Sequence, residues 1–267
     1  MARAGTRLFQ ALLRDWRNRR GLSQLDLAGA ADVSARHLSF LETGRAQPSR
    51  EMVLRLASTL SIPLRDQNAL LRAAGLADEF PEPSVTNGLP EPILHALELM
   101  LAQHEPFPMT VLDSRYDVLR MNEGAARLLP KFIAEPSAIP ERPNAMVMLF
   151  DPRLMRPFIL DWERIAHGLI ARLHREALTR GDDGEPASLL RLLLEYPGVP
   201  AAWRQPDFSS PSDPVLIIKV RRGDLALGFL STITVFNAPQ NVTLEELRVE
   251  SLFPLDDATA RACKRLA

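Results

Sequence analysis

From the N-terminus to Ala77, apolar positions recur three and four residues apart in short blocks separated by capping residues, the spacing of compact amphipathic helices. The pattern predicts five helices, at about 6–20, 24–31, 35–42, 50–60 and 66–74. Ser23, Ser34 and Ser49 each stand just before such a block, where a hydroxyl can accept a bond from an orphan helix N–H. Between Leu76 and Pro92 the period disappears in LADEFPEPSVTNGLPEP, whose four prolines and one glycine resist any regular element. The expected organisation is a helical domain over 1–77, a linker over 78–92 and a second domain over 93–267.

Beyond the linker the period shortens. Met109–Asp113 and Asp117–Met121 are short apolar runs flanking Ser114-Arg115-Tyr116, a hairpin pattern, and Asn122 is placed to cap a following helix. Helical spacing dominates Ala145–Arg180 and Ala187–Glu195, after which β-branched runs occupy Val215–Arg222, Leu225–Phe236 and Leu247–Phe253. Two strands, helices, then three strands is an α+β order; it fits one five-stranded antiparallel sheet with helices over a single face.

Composition narrows the classes. Apolar residues make up 46% and charged residues 24%, an ordinary globular balance. The single cysteine, Cys263, excludes an intrachain disulfide framework and a thiolate-rich metal site. No run approaches the roughly 18 apolar residues of a membrane span, and the N-terminus lacks an apolar signal core, so a cytoplasmic protein without membrane contact is expected. The net charge of −1 conceals an asymmetry: residues 1–77 hold 12 Arg against 6 Asp and Glu, net +6, while the remainder is net −7. A basic head on an acidic body is the footprint of a chain that meets phosphate at one end.

Within the head, SQLDLAGAADVSARHLSFLETGRAQPS has the dimensions of a helix-turn-helix, with Leu27, Ala28, Val33, Leu38 and Leu41 at the positions that let two helices cross closely. A second helix beginning at Ser34 presents Ala35, Arg36, Ser39 and Phe40 on its outer side, sized for a major groove. Arg36 can grip guanine O6 and N7 bidentately, and Ala35 or Phe40 can rest on a thymine methyl. Gln24 at a helix start, together with Arg45 and Arg17, is expected to meet the phosphate backbone.

These residues carry a resemblance. Ser23, Gln24, Leu27 and Ala28, then Val33-Ser34, then Leu41-Glu42-x-Gly44-Arg45 and Pro48-Ser49, resemble the Cro/phage-repressor type of helix-turn-helix found in XRE-family regulators. The resemblance implies a homodimer on double-stranded DNA at a palindromic operator. The glycine usual in the inter-helix turn is Asp32 here, a residue that also tolerates left-handed backbone.

The large domain exceeds what dimerisation requires. Val111-Leu112-Asp113-x-Arg115-Tyr116-Asp117-Val118-Leu119-x-x-Asn122, Phe150-Asp151-Pro152-Arg153, Asp161-Trp162-Glu163, Leu230-Ser231-Thr232, Pro239-Gln240-x-Val242-Thr243 and Glu246-Leu247-Arg248 resemble the MmyB-like, PAS-like ligand-binding domain. That resemblance implies a cavity for a fatty-acid-like ligand; catalysis is not expected, because the sequence shows no nucleophile–base constellation. The side chains compatible with it are Met121, Met146, Met148, Phe150, Leu154, Met155, Phe158, Trp162, Phe229, Ile233 and Phe236, with Asn122, Arg153 or Arg156 expected to take a carboxylate head. The same apolar residues also suit a plain core, in which case the domain is a constitutive dimerisation or antitoxin-like interaction module. Neither a metal site nor a cofactor is expected beyond a bound fatty acid: His167 and His174 are too far apart in sequence for an i, i+4 metal pair, and no phosphate loop or nucleophile elbow occurs.

Overall fold

The computed structural model describes residues 2–85, 88–180, 185–206, 215–237 and 241–266. Two compact units emerge, Met1–Ser84 with Asn237–Glu245, and Val85–Phe236 with Glu246–Ala267. The first contains α1 (Ala2–Arg19), α2 (Gln24–Ala30), α3 (Ala35–Thr43), α4 (Arg50–Thr59) and α5 (Leu64–Ala73). Ser23, Ser34 and Ser49 cap α2, α3 and α4, each accepting from the backbone N–H three residues on. Phe9, Leu13, Trp16, Leu27, Leu38, Leu41, Leu56 and Leu70 close the core between these helices. Each such side chain contributes about 1.5–3 kcal/mol on burial.

The unit extends past the helices. Asn68 donates to Phe80 O (2.7 Å) and accepts from the N–H groups of Glu79 and Phe80 (3.1 Å), while Arg72 pairs with Asp78 and Arg65 with Glu82. The early part of the expected linker is therefore fastened to α5. More unexpected is a segment from far along the chain, α11 (Val242–Glu246), whose first four residues fold with this unit. Val242 N–H donates to Pro81 O (3.0 Å), Thr243 Oγ1 donates to Pro83 O (2.6 Å), and Glu245 Oε2 accepts from Leu64 N–H (2.8 Å). Pro63 precedes α5 and offers no side-chain cap, so Glu245 supplies the acceptor that this helix start lacks locally.

The second unit contains α6 (Glu91–Gln103), α7 (Glu123–Leu128), α8 (Ala145–Phe150), α9 (Trp162–Arg180), α10 (Glu185–Leu194) and α12 (Asp257–Leu266). Its strands are β1 (Met109–Leu112), β2 (Val118–Met121), β3 (Ile159–Leu160), β4 (Leu216–Arg222), β5 (Leu225–Thr234) and β6 (Arg248–Pro254). They form one antiparallel sheet in the order β2-β1-β6-β5-β4-β3. The five expected strands are all present; β3 adds a sixth at the edge, only two residues long and too short to show an alternating pattern.

Register decides which side chains share a face. Ile218 lies opposite Phe229, Ser231 opposite Leu252, Ile233 opposite Glu250, Glu250 opposite Thr110, and Thr110 opposite Met121. Direct partners in an antiparallel ladder point the same way, so these side chains line one surface from β4 to β2. The buried core joins residues of this surface to α7, α8, α9 and α10, through Leu128, Phe150, Ile165, Leu169, Leu173 and Leu193.

Candidate functional site

The helix-turn-helix forms as its pattern requires. Asp32 takes φ 54° in the turn, Val33 N–H closes back on Ala28 O (2.9 Å), and α3 ends at Gly44 with φ 76°. Leu38 and Leu41 are fully buried against Leu27, which turns the opposite side of α3 outward. Ser34 and Arg36 are exposed there, and Ala35, Ser39 and Phe40 are half-buried; Arg45, just past the helix, is exposed as well. The Arg36 and Arg45 guanidiniums lie 5.3 and 6.0 Å from the centre of the Phe40 ring. Neither makes an ion pair or hydrogen bond among the described residues, so both donor forks face solvent.

Arg17 and the Gln24 side chain are placed otherwise, and the expectation that they meet phosphate is corrected. Arg17 Nε and Nη2 donate to Glu42 Oε1 and Oε2 (2.6 and 3.1 Å), Arg17 Nη1 donates to Leu22 O (2.7 Å), and Gln24 Nε2 donates to Glu42 Oε2 (2.8 Å). Glu42 is 1% exposed, and a buried carboxylate must be paired. Burial pushes its carboxyl up, but hydrogen bonds from Arg17 and Gln24 and the charges of Arg17 and Arg14 outweigh it and hold it below the usual carboxylate range. The charge of Arg17 is thus spent inside the motif, locking α1 to α3.

The second unit holds a cavity of about 190 Å³ on the sheet surface described above. Thr110, Val118, Met121, Ile218, Val220, Phe229, Glu250 and Leu252 line it from the strands; Ala126, Leu128, Leu129, Phe132, Ile133, Ile139, Ala145, Met148, Leu149 and Met155 line it from α7, α8 and the segments beside them. Of the residues expected around a ligand, Met121, Met148, Met155 and Phe229 are in this wall. The other ten are not. Met146, Phe150 and Leu154 are buried in the core, and Phe158 packs edge-on against Phe132 under the Arg222 guanidinium. Trp162 donates from Nε1 to Leu149 O (2.7 Å); Ile233 and Phe236 lie outside the lining.

The expected head-group donors are engaged elsewhere. Asn122 caps α7 by accepting from Ala125 N–H and Met109 N–H (2.9 and 3.0 Å) and donates to Phe107 O (2.8 Å). Arg153 pairs with Asp151 (2.7 Å), and Arg156 lies 3.6 Å from the centre of the Trp162 ring with Nη1 on Pro197 O. His174 Nε2 is 2.8 Å from Trp203 O, and the His167 ring packs against Trp203. No metal-ligand cluster exists among the described residues.

Among the described residues, the lining contains two polar ones, Thr110 and Glu250. Glu250 Oε1 accepts from Ser231 Oγ (2.6 Å). Burial pushes the Glu250 carboxyl above its ordinary range, against the lowering effect of the Ser231 hydrogen bond and the Arg172 charge. Glu250 is invisible to pattern reading because β6 is most deeply buried on its other side: Val249 and Ser251 are 1% and 5% exposed, while Glu250 and Leu252 on the cavity side are half-buried. Alternation in RVESLFP therefore does not mark the cavity side.

Two stretches of the chain match known families. Residues 93–266, well over half of the chain, match the family described as the MmyB-like transcription regulator ligand binding domain, and the chain belongs to that family. Residues 13–67 match the helix-turn-helix family. Over 83 residues the chain is 41% identical to the HTH-type transcriptional regulator DdrOP3 of Deinococcus deserti, a match covering 27% of this chain and 64% of that relative. A solved RNA-binding light-oxygen-voltage receptor shares 15% identity over 91% of this chain and 60% of its own, with a TM-score of 0.30, too loose to bear on the fold. The protein is a helix-turn-helix transcription regulator carrying an MmyB-like ligand-binding domain. None of its described helices is long and apolar enough to cross a membrane.

Proposed function

We propose that the chain reads double-stranded DNA through the outward side of α3, as a homodimer on a palindromic operator in the cytoplasm, and that an apolar small molecule of the fatty-acyl class in the cavity changes operator affinity without any catalytic step. Arg36 discriminates bases in this reading, with Ser34, Ala35, Ser39 and Phe40 beside it, and Arg45 contacts phosphate together with the backbone N–H groups that open α2. The observation that carries the ligand half is the cavity itself, whose wall among the described residues is apolar except for Thr110 and Glu250. A domain serving only as an interaction module would have no need of it.

A ligand changes DNA affinity only by the difference in its affinity for two arrangements of the reading heads. The connection from β5 to β6 suits such coupling, because Val242–Glu245 folds with the helical unit and the chain then runs directly into β6, which carries Glu250 and Leu252 of the cavity wall. The test is mass spectrometry of denatured, freshly purified protein for a co-purifying apolar molecule, followed by operator titration before and after its removal. Recovery of such a molecule with a change in operator affinity supports the reading; equal affinity with and without every extracted molecule overturns it.

A further inference from the structure

Phe40 lies on the outward side of α3, and the core does not explain it. Ala35 on the same helix and Ala46 just beyond it pack against the buried side chains of the helical unit; Phe40, half-buried, is not among the side chains that do. No other aromatic ring meets it among the described residues. What meets its ring is a pair of cations, the Arg36 and Arg45 guanidiniums at 5.3 and 6.0 Å from its centre. The two are no farther apart than these distances laid end to end, about three nucleotide steps of one DNA strand.

The local backbone brings both arginines there. Arg36 precedes Phe40 by one helical turn, the spacing at which side chains on a helix meet. Arg45 arrives from the other side of the helix end: after the left-handed Gly44, its N–H donates to Phe40 O (2.8 Å), which returns the chain to the same residue. Two like charges on one ring repel each other, and no carboxylate separates them among the described residues. A carboxylate would hold a guanidinium more firmly, but it would occupy the donors and cancel the charge, as Glu42 does to Arg17. An aromatic ring attracts a guanidinium through its quadrupole and leaves the N–H donors open. Resting on the reading of α3 above, we infer that Phe40 is a positioning residue for DNA recognition: its ring holds the fork of Arg36 toward a base edge and the fork of Arg45 toward phosphate on the same short stretch of duplex, rather than resting on a thymine methyl itself.

The experiment measures binding of the full chain, across a salt series, to the duplex that the wild type selects from a random library. Phe40→Leu, which keeps an apolar side chain and removes the ring, is expected to bind that duplex about tenfold more weakly, while Phe40→Tyr stays within about threefold of wild type. Phenylalanine carries no charge, so a flatter dependence of log K on log salt in Phe40→Leu, by about half of the 0.9 due to one phosphate, reports the loss of the Arg45 contact. In the Phe40→Leu background, Arg36→Ala and Arg45→Ala each cost at least about threefold less than in the wild type, the non-additivity of residues that act through one another. Phe40→Met, a second ring-free apolar variant, is read in the same way should Phe40→Leu not fold. An unchanged salt dependence in these variants, or costs that simply add, overturns the inference while leaving α3 as the reading element. Replacing each thymine of the duplex in turn by uracil tests the direct contact: a loss in the wild type that matches the loss in Phe40→Leu, and vanishes in that variant, shows the ring on a methyl group and also overturns the inference. Selection of no sequence by the wild type overturns the reading of α3 itself.

Discussion

Replacing Arg17 with alanine separates the two roles an arginine of this motif can have. In the structure its guanidinium, 12% exposed, is bonded twice to a Glu42 side chain that is fully buried, so the substitution leaves a carboxylate inside the helical unit with only Gln24 and the more distant, half-exposed Arg14 as partners. Removing one member of a buried pair costs about 3–5 kcal/mol, and the remaining partners place the expected loss near 3 kcal/mol. Urea unfolding reads it cleanly with Trp162 and Trp203 changed to Phe, because Trp16, buried in this unit, then reports alone. The double variant Arg17→Met with Glu42→Leu is expected to regain most of the loss, since it removes the orphaned charge. Binding to a mixed-sequence duplex supplies the second arm: with the protein folded, Arg17→Ala leaves the dependence of log K on log salt unchanged, whereas Arg45→Ala flattens it by about 0.9, the share of one phosphate contact. A stability change below about 0.5 kcal/mol, or a slope lowered by Arg17→Ala as much as by Arg45→Ala, refutes the assignment of Arg17 to the interior.

Glu42 also sets an acid limit. Its folded-state pKa is depressed, so its stabilising contribution is full above the unfolded carboxylate value near pH 4 and is lost as pH falls through the folded value; Trp16-monitored stability should fall below about pH 4 in the wild type and show a flatter acid limb in Glu42→Gln. Glu245→Ala removes the acceptor for Leu64 N–H at the start of α5 and should cost the helical unit about 0.5–2 kcal/mol in the same assay, although residue 245 follows that unit's helices by more than half the chain. Gly124→Ala would set a Cβ 2.6 Å from the backbone oxygen of Pro106, so the second unit should lose about 1–3 kcal/mol by thermal unfolding, with DNA binding by the helical unit intact.

The helical unit was largely legible because its signals are local. Caps at Ser23, Ser34 and Ser49 and the three-to-four spacing of Leu27, Leu38 and Leu41 fix α2, α3 and α4 without reference to distant residues, and the exposed side of α3 follows from which side is buried. The ionic partner of Arg17 was not legible, since Glu42 is 25 residues away and one arginine in a basic helix resembles the next. In the second unit the strands were readable from their β-branched runs, but the cavity wall was not. It depends on register across β4, β5, β6, β1 and β2, and on turns such as Leu129–Phe132 that carry no period. Aromatic and sulfur-bearing residues drew attention in the sequence, yet Phe150 and Met146 fill the core, while smaller residues such as Ala126, Ile133 and Val220 leave the space. The docking of Val242–Glu245 on the helical unit was hidden for a similar reason: its partners Pro81, Pro83 and Leu64 lie some 160 to 180 residues earlier.

The most direct measurement is selection of duplexes from a random library by the full chain and by Arg36→Ala, followed by titration of the selected site. The wild type is predicted to enrich a two-fold symmetric sequence, and Arg36→Ala to lose about 1–3 kcal/mol of discrimination at one symmetry-related position while retaining non-specific affinity. Enrichment of no sequence by the wild type, or the same site with unchanged preference in Arg36→Ala, would contradict the reading of α3 as the element that recognises DNA.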